Sequence, residues 1–423
     1  MSGASRGANW AGSYTYAART LHRPTTREQL QELVAGAPSV HVLGSRHSFN
    51  GIADAAELIS LDALPADITV DAAAGTVSLG GGVTYGGLVE ILAEHGLALH
   101  NLASLPHISV AGAVATATHG SGVAHGNLAT AVRGLELVTS DGEVITAARG
   151  DADFDGMVVG LGALGAVSRL TLDVEPAYEV RQRVFEGLGW ATLAEHFDVI
   201  MAAGYSVSVF TRWGERVDDV RIKSRTDVPE QVGDDLFGAV PATGERHPIP
   251  GLDPAPCTPQ LGLPGAWSDR LPHFRMGFTP SAGEEIQSEY LVPRDAALAA
   301  IEALRRLGDR MRPVLQVCEI RMVAADRLWM SMNHDRDSVA FHFTWRLEPE
   351  RVRAVVVDIE RALAPFAARP HWGKLFTTDA ATIAGLYQRH GDFVGLQARL
   401  DPRGAFRTPW LATHVLGPAD HQV

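Results

Sequence analysis

Along roughly the first 175 residues, short apolar runs alternate with stretches of helical spacing, which predicts a mixed α+β segment. Val40-His41-Val42-Leu43 is β-rich and stops at Gly44, so it reads as a strand that delivers the chain into a loop. Ile68 to Val70 and Thr76 to Leu79 read as further strands, the second closed by Gly80-Gly81-Gly82. Between Tyr85 and His95, Leu88, Val89, Ile91 and Leu92 suit one helical face, and Gly96 stands where a C-terminal cap belongs. Asp141-Gly142 separates Glu136-Leu137-Val138 from Val144-Ile145, the mark of a tight hairpin, and Val167 to Val174 is another strand.

The pattern changes after Pro176. Ten of the 23 prolines fall between Pro229 and Pro280, which predicts a long irregular segment. Periodicity returns after Glu284, with a helix over residues 295–309 and two strongly alternating segments, Val317 to Val323 and Ser338 to Trp345. A second helix follows from Pro349 to Leu363, with its proline near the start where the missing N–H costs nothing. No internal repeat or low-complexity tract interrupts the chain.

Composition narrows the class without naming a function. A chain of 423 residues can bury a substantial core and supports two domains. Its hydrophobic fraction of 46% and mean hydropathy of +0.02 are ordinary for a soluble globular protein. The net charge of −13 argues against a phosphate-backbone partner and against a basic membrane-binding patch. Met1 to Trp10 lacks the apolar core of a signal peptide, and no run reaches the roughly 18 apolar residues of a membrane span. Two cysteines, Cys257 and Cys318, make no disulfide framework. The expectation is a cytoplasmic monomer with neither nucleic acid nor membrane as partner.

The first candidate for chemistry is the loop Gly44-Ser45-Arg46-His47-Ser48-Phe49-Asn50. A strand entering a Gly/Ser turn presents successive backbone N–H groups, a concavity suited to anions such as a pyrophosphate. It lacks G-x-G-x-x-G, so it is not a Rossmann fingerprint, and taken alone it fits an ordinary surface turn as well. A second segment, Ser104 to Gly122, is almost wholly small residues after Ser109 and closes with His119-Gly120-Ser121-Gly122. Ser109 is a candidate N-cap for a short helix from Val110, whose small residues let a ligand approach the main chain.

The second candidate lies in the two alternating segments. Period two places Glu319 and Arg321 opposite Cys318, Ile320 and Met322, and places His342 and Thr344 opposite Phe341, Phe343 and Trp345. If the strands pair, one side is apolar and the other a polar floor. Alternation alone fits a half-solvated sheet with a surface Glu–Arg pair better than it fits a binding site. The histidines at 95, 100, 107 and 125 form no ligand spacing, and no metal is expected.

The His47 loop followed by the Ser104 to Gly122 string resembles the FAD-binding domain of the vanillyl-alcohol-oxidase-type flavoenzymes, and within them the bacterial alditol oxidases. The resemblance extends over nearly the whole chain, including Asn9-Trp10-Ala11-Gly12 and Arg369-Pro370-His371-Trp372-Gly373-Lys374. It implies an α+β fold in two parts: an FAD-binding domain over residues 1–178, to which 375–423 return, and a cap domain over 179–374 built on an antiparallel sheet with helices. It implies FAD bound covalently through His47, with Gly44, Ser45, Arg46, Ser48, Ser104, Ser109, Gly112, Thr116, Thr118, His119, Val167 and His371 around the cofactor. No cysteine precedes Cys257, so a single bond through histidine is expected. Where related enzymes can have Gly before the linking His, this chain has Arg46, which requires a side chain directed away from the loop.

The same resemblance places Ser104, Glu319, Arg321, Thr344 and Lys374 at the substrate, which turns the polar floor into an expected binding surface. Buried hydroxyl-seeking groups suit a polyol and reject apolar alcohols by leaving polar atoms unpaired. The implied reaction is hydride transfer from a terminal alcohol carbon to flavin N5, with dioxygen reduced to hydrogen peroxide. Arg321 and Lys374 are expected to stabilise the developing charge, His342 to accept the proton, and Glu319 and Thr344 to position the polyol. The alternatives are an aldonolactone oxidase or dehydrogenase on the same scaffold, and a flavin- or sugar-binding protein without turnover.

Overall fold

The computed structural model describes residues 7–278, 281 and 283–418. The start of the polar N-terminal segment and Pro280, the last proline of the irregular stretch, lie outside the described residues.

The N-terminal part holds two sheets. Thr20–His22, Glu57–Ile59 and Val40–Val42 form a parallel three-stranded sheet with Glu57–Ile59 at its centre. The helix Arg27–Gly36, capped by the Thr26 hydroxyl, buries Leu30 and Val34 beside it. Thr69–Asp71, Thr76–Gly80, Ala166–Asp173, Val132–Val138 and Val144–Ala148 follow one another across an antiparallel five-stranded sheet. The helix Tyr85–Glu94 buries Leu88 and Leu92, and Gly96 follows it at φ 64°, the left-handed conformation that ends helices. The Asp141-Gly142 hairpin forms as its dipeptide predicts, with Gly142 at φ 80°. Far along the chain, the Ala405 carbonyl accepts from the Val40 amide, and Phe406 packs with Leu30 and Val34.

Residues 179–370 build a nine-stranded antiparallel sheet. Leu315–Val323 and Ser338–Arg346 pair at its centre, with Glu319 opposite His342 and Arg321 opposite Ala340. On one face Cys318, Ile320, Met322, Phe341, Phe343 and Trp345 are each at most 1% exposed. The helices Ala297–Arg306 and Pro349–Leu363 cover that face with Ile301, Leu304, Val352, Val356 and Ile359. Each such aliphatic or aromatic side chain contributes about 1.5–3 kcal/mol through burial, so this layer anchors the strands. The helix expected over 295–309 is divided at Leu307 into Ala297–Arg306 and Gly308–Met311, and a Cβ at Gly308 would lie 3.0 Å from the Trp213 carbonyl. No helix among the described residues is long and apolar enough to cross a membrane.

Candidate active site

A cavity of about 630 Å³ opens between the N-terminal loops and the polar face of the large sheet. That volume falls within the roughly 300–1,000 Å³ of small-molecule sites. The residues 44–48, 103–105, 108, 109 and 111–116, with Thr118, His119, Val167, Glu319, Arg321, His342, Thr344, His371 and Lys374, all line it. The sequence-predicted residues are therefore brought to one place.

The His47 loop owes its shape to the residue before it. Arg46 has φ 62°, a left-handed conformation that costs an ordinary side chain roughly 1–2 kcal/mol, which is why glycine suits this position. Its guanidinium lies beside Gly7. Trp10 lies with its ring centroid 5.2 Å from that of His47. Burial, with the neighbouring His107 adding to it, lowers the His47 pKa to about 4, so the imidazole is neutral near pH 7. Its Nδ1 is buried and has no hydrogen-bond partner.

The small-residue segment departs in one detail from the sequence expectation. Ser109 stands at the N-cap position of the six-residue helix Val110–Ala115, but its hydroxyl makes no capping bond. A Cβ at Gly44 would lie 2.5 Å from that hydroxyl and one at Gly112 2.6 Å from it. Ser109 thus sits between two glycines and lets the loops close on each other, while its amide donates to Ser45 Oγ at 2.9 Å. The loop is also bound to the far end of the chain. The Phe49 amide donates to the Gly373 carbonyl at 2.8 Å, and Asn50 Nδ2 donates to the Trp372 and Lys374 carbonyls at 2.8 and 2.6 Å. These bonds place Lys374 opposite His47 across more than 300 residues of sequence.

The polar floor is buried, not half-solvated: Glu319 and Arg321 are each 4% exposed and Thr344 is 6% exposed. Register places His342 between Glu319 on one neighbouring strand and Glu289 on the other. Arg321 Nη2 donates to Glu289 Oε1 at 2.6 Å, and Lys374 Nζ donates to Glu289 Oε2 at 2.6 Å. Burial opposes the charge of both carboxylates, yet Lys374 and Arg321 hold Glu289 well below the usual range, as Arg321 and His273 hold Glu319. Burial, reinforced by Lys374, keeps the His342 pKa far below its ordinary value. Its Nδ1 lies 3.3 Å from Lys374 Nζ and 3.4 Å from Arg321 Nη2, so that nitrogen accepts and Nε2 carries the hydrogen. His371 is likewise held neutral by burial, its Nδ1 accepting from the Gly373 amide at 3.1 Å.

Sequence reasoning missed Glu289, Gln287 and His273. The first two lie on Glu285–Pro293, where Glu285, Gln287 and Glu289 alternate with Ile286, Ser288 and Tyr290, a period-two signal of the kind used for the neighbouring strands. His273 comes from the proline-rich segment, and nothing local marks it. His119, expected beside the cofactor, has its Nε2 3.3 Å from Glu289 Oε1 and so also belongs to the floor.

Residues 18–148 match a family described as an FAD binding domain, and residues 282–414 match one described as D-arabinono-1,4-lactone oxidase. An alditol oxidase from a Streptomyces species is 52% identical over 95% of this chain and 97% of its own length. An L-gulono-1,4-lactone dehydrogenase of Mycobacterium tuberculosis is 30% identical over 97% of this chain and 99% of its own. The crystal structure of cholesterol oxidase from B. sterolicum superposes with a TM-score of 0.77 over 97% of this chain and 96% of that one, at 16% identity, a likeness of fold.

Proposed function

The chain belongs to the vanillyl-alcohol-oxidase-type family of FAD-dependent oxidoreductases, and from that premise we propose that it oxidises the terminal hydroxyl of alditols such as xylitol or sorbitol, with FAD held covalently through His47. The observation that carries this reading is a floor of buried Glu319, Arg321 and Thr344 with half-buried Lys374, facing the same cavity as the His47 loop. The parts fit FAD. Gly44 and Gly112 let the two small-residue loops close on Ser109 at the cavity wall, and the orphaned Nδ1 of a neutral His47 is a nitrogen available for a bond. FAD, when bound, supplies the hydride acceptor and, once reduced, the reductant of dioxygen.

The chain's own groups bind and orient the alcohol. Arg321 and Lys374 offer charge-assisted donors where negative charge develops on the substrate oxygen, in a site dry enough for them to count. Glu319 accepts from substrate hydroxyls and Thr344 both donates and accepts. With Nδ1 engaged by two cations, His342 meets a substrate oxygen through Nε2–H. Accepting the hydroxyl proton at Nε2 requires the opposite tautomer, with hydrogen on Nδ1 facing Lys374 and Arg321.

The test is the colour of the protein. Acid-precipitated wild type is expected to stay yellow, His47→Ala to precipitate colourless, and xylitol or sorbitol to bleach the flavin without air and yield peroxide in air. A wild type that precipitates colourless ends the covalent proposal. Bleaching by gulonolactone and by no polyol replaces the substrate with a lactone, the reading favoured by the match of residues 282–414.

A further inference from the structure

The polar face of the large sheet does not stop at Glu319 and Arg321. Ser208 pairs with Arg321 on one side and Arg221 on the other, and Ser206 pairs with Lys223. Asp219, Arg221 and Lys223 therefore continue the polar face two strands beyond the residues expected to touch substrate. Arg221 is occupied by Asp219, its Nε donating to Oδ1 at 2.9 Å. Lys223, 2% exposed, has no carboxylate within ion-pair distance among the described residues. A buried ammonium needs acceptors, and this one spends its donors on three consecutive residues of the proline-rich segment. It donates to the Leu271 carbonyl, to the Pro272 carbonyl at 3.2 Å and to His273 Nδ1 at 3.5 Å.

That arrangement fixes what His273 can do. With Nδ1 turned to a donor, the hydrogen sits on Nε2, which donates to Glu319 Oε1 at 2.9 Å. Burial, and then Lys223, lowers the His273 pKa to about 4, which agrees with a neutral ring in that tautomer. The same residue reaches the other side of the cavity: its amide donates to the Ser104 carbonyl at 3.2 Å. Ser104 comes from the N-terminal loops and Glu319 from the large sheet, so His273 is bonded to one residue of each.

We propose that His273, oriented by Lys223, is a positioning residue that joins Ser104 and Glu319 into one substrate-recognition surface. It occupies Oε1 of the Glu319 carboxylate, while Oε2, 3.6 Å from Arg321 Nε, is the oxygen offered to a polyol hydroxyl. This rests on the alditol reading, and it assigns a function to the irregular segment, which delivers the imidazole. The reacting end of the substrate lies with Arg321 and Lys374, so the effect should fall on recognition of the remaining hydroxyls.

The experiment compares His273→Phe, His273→Gln and Lys223→Met as flavin-loaded enzymes, with xylitol and with a short diol that has no distal hydroxyl. His273→Phe is expected to raise the xylitol KM about 10- to 100-fold, the loss of one hydrogen bond to a charged group, with kcat within about threefold. The diol should lose less than about threefold. His273→Gln, whose amide can reach Glu319, should recover most of the loss, and Lys223→Met should fall between. If His273→Phe yields no folded yellow protein, His273→Asn takes its place, since its shorter amide keeps polarity but falls short of Glu319. Equal losses for xylitol and diol, an unmoved xylitol KM, or no difference between the glutamine and the donor-lacking variant overturns the inference. Wild type that oxidises no polyol overturns the underlying reading instead, and the two failures are told apart by that control.

Discussion

The two sides of the cavity are built on opposite plans. The His47 side offers main chain and small residues: Gly44, Ser45, Ser109, Gly112 and Thr116, with one imidazole nitrogen lacking a partner. The sheet side offers buried charge: Glu289 and Glu319 against Arg321 and Lys374, with His273 and His342 among them. A main-chain cradle is held by bonds to the main chain of residues 372–374, one from the Phe49 amide and two from the Asn50 side chain, so its shape survives a change in a distant side chain. A charge network has no such insurance, because removing one member leaves another buried without a partner. The difference teaches where each half fails. One should fail by losing the cofactor, the other by losing substrate recognition or turnover with the cofactor in place.

The largest expected effect sharpens that contrast. Lys374→Met removes the cation that Glu289 Oε2 holds at 2.6 Å and that faces the cavity. The flavin content should stay near that of wild type, while kcat/KM for xylitol falls about 10²–10³-fold, mostly in kcat, the loss measured elsewhere for a single charge-stabilising donor. Stopped-flow flavin reduction alongside the ratio of flavin to protein absorbance checks both halves of the statement. A variant that loses flavin in step with activity breaks the comparison.

The same contrast explains what could be read from residues alone. The Tyr85–Glu94 helix with Gly96, the Pro349–Leu363 helix and the two central strands carry their signatures locally, as periodicity and caps. The small-residue loops were legible for the same reason, since a main-chain cradle is written in consecutive glycines, serines and alanines. The floor was legible only where its alternation is uninterrupted. Glu289 and Lys223 sit on strands with a comparable period-two pattern, Glu285-Ile286-Gln287 and Asp219-Val220-Arg221, but their meaning depends on which strand lies next door. His273 could not be found this way, because its partners stand 46 and 50 residues away and its own segment is irregular. The half-solvated sheet favoured by alternation alone fails for a related reason: the polar face lies against the N-terminal loops and against His273 of the proline-rich segment, which no strand pattern encodes.

Acid titration probes the charged half through stability. The folded pKa of His273 is lowered to about 4 against 6.5 for the free group, so between those values the unfolded chain binds a proton that the native state does not. Stability is therefore fully present above pH 6.5 and falls as pH drops toward 4, at about 1.4 kcal/mol per pH unit for this one group. The depressed pKa values of Glu289 and Glu319 act in the same direction, their share being lost at lower pH still. In His273→Gln the slope of unfolding free energy between pH 6.5 and 4 should be shallower by about one proton. Urea midpoints across that range measure it, and an unchanged slope means the imidazole is already protonated in the fold.

The smallest effect tests the other half. At φ 62°, Arg46 carries a strain of roughly 1–2 kcal/mol that Gly would not, but Gly also gains roughly 0.4–1 kcal/mol of freedom in the unfolded chain. The two terms nearly cancel, so Arg46→Gly should stabilise by about 1 kcal/mol or less and leave the acid-stable flavin content unchanged. Thermal melting and the colour of the precipitated protein check the two parts separately. The Trp10 amide donates to the Arg46 carbonyl at 3.1 Å, a bond that either residue at 46 supplies. A drop in flavin attachment would show that the guanidinium leaning toward Gly7 holds the N-terminal segment, with Trp10, over His47. In that event the cradle also depends on a charged side chain, and the contrast between the two sides of the cavity becomes one of degree.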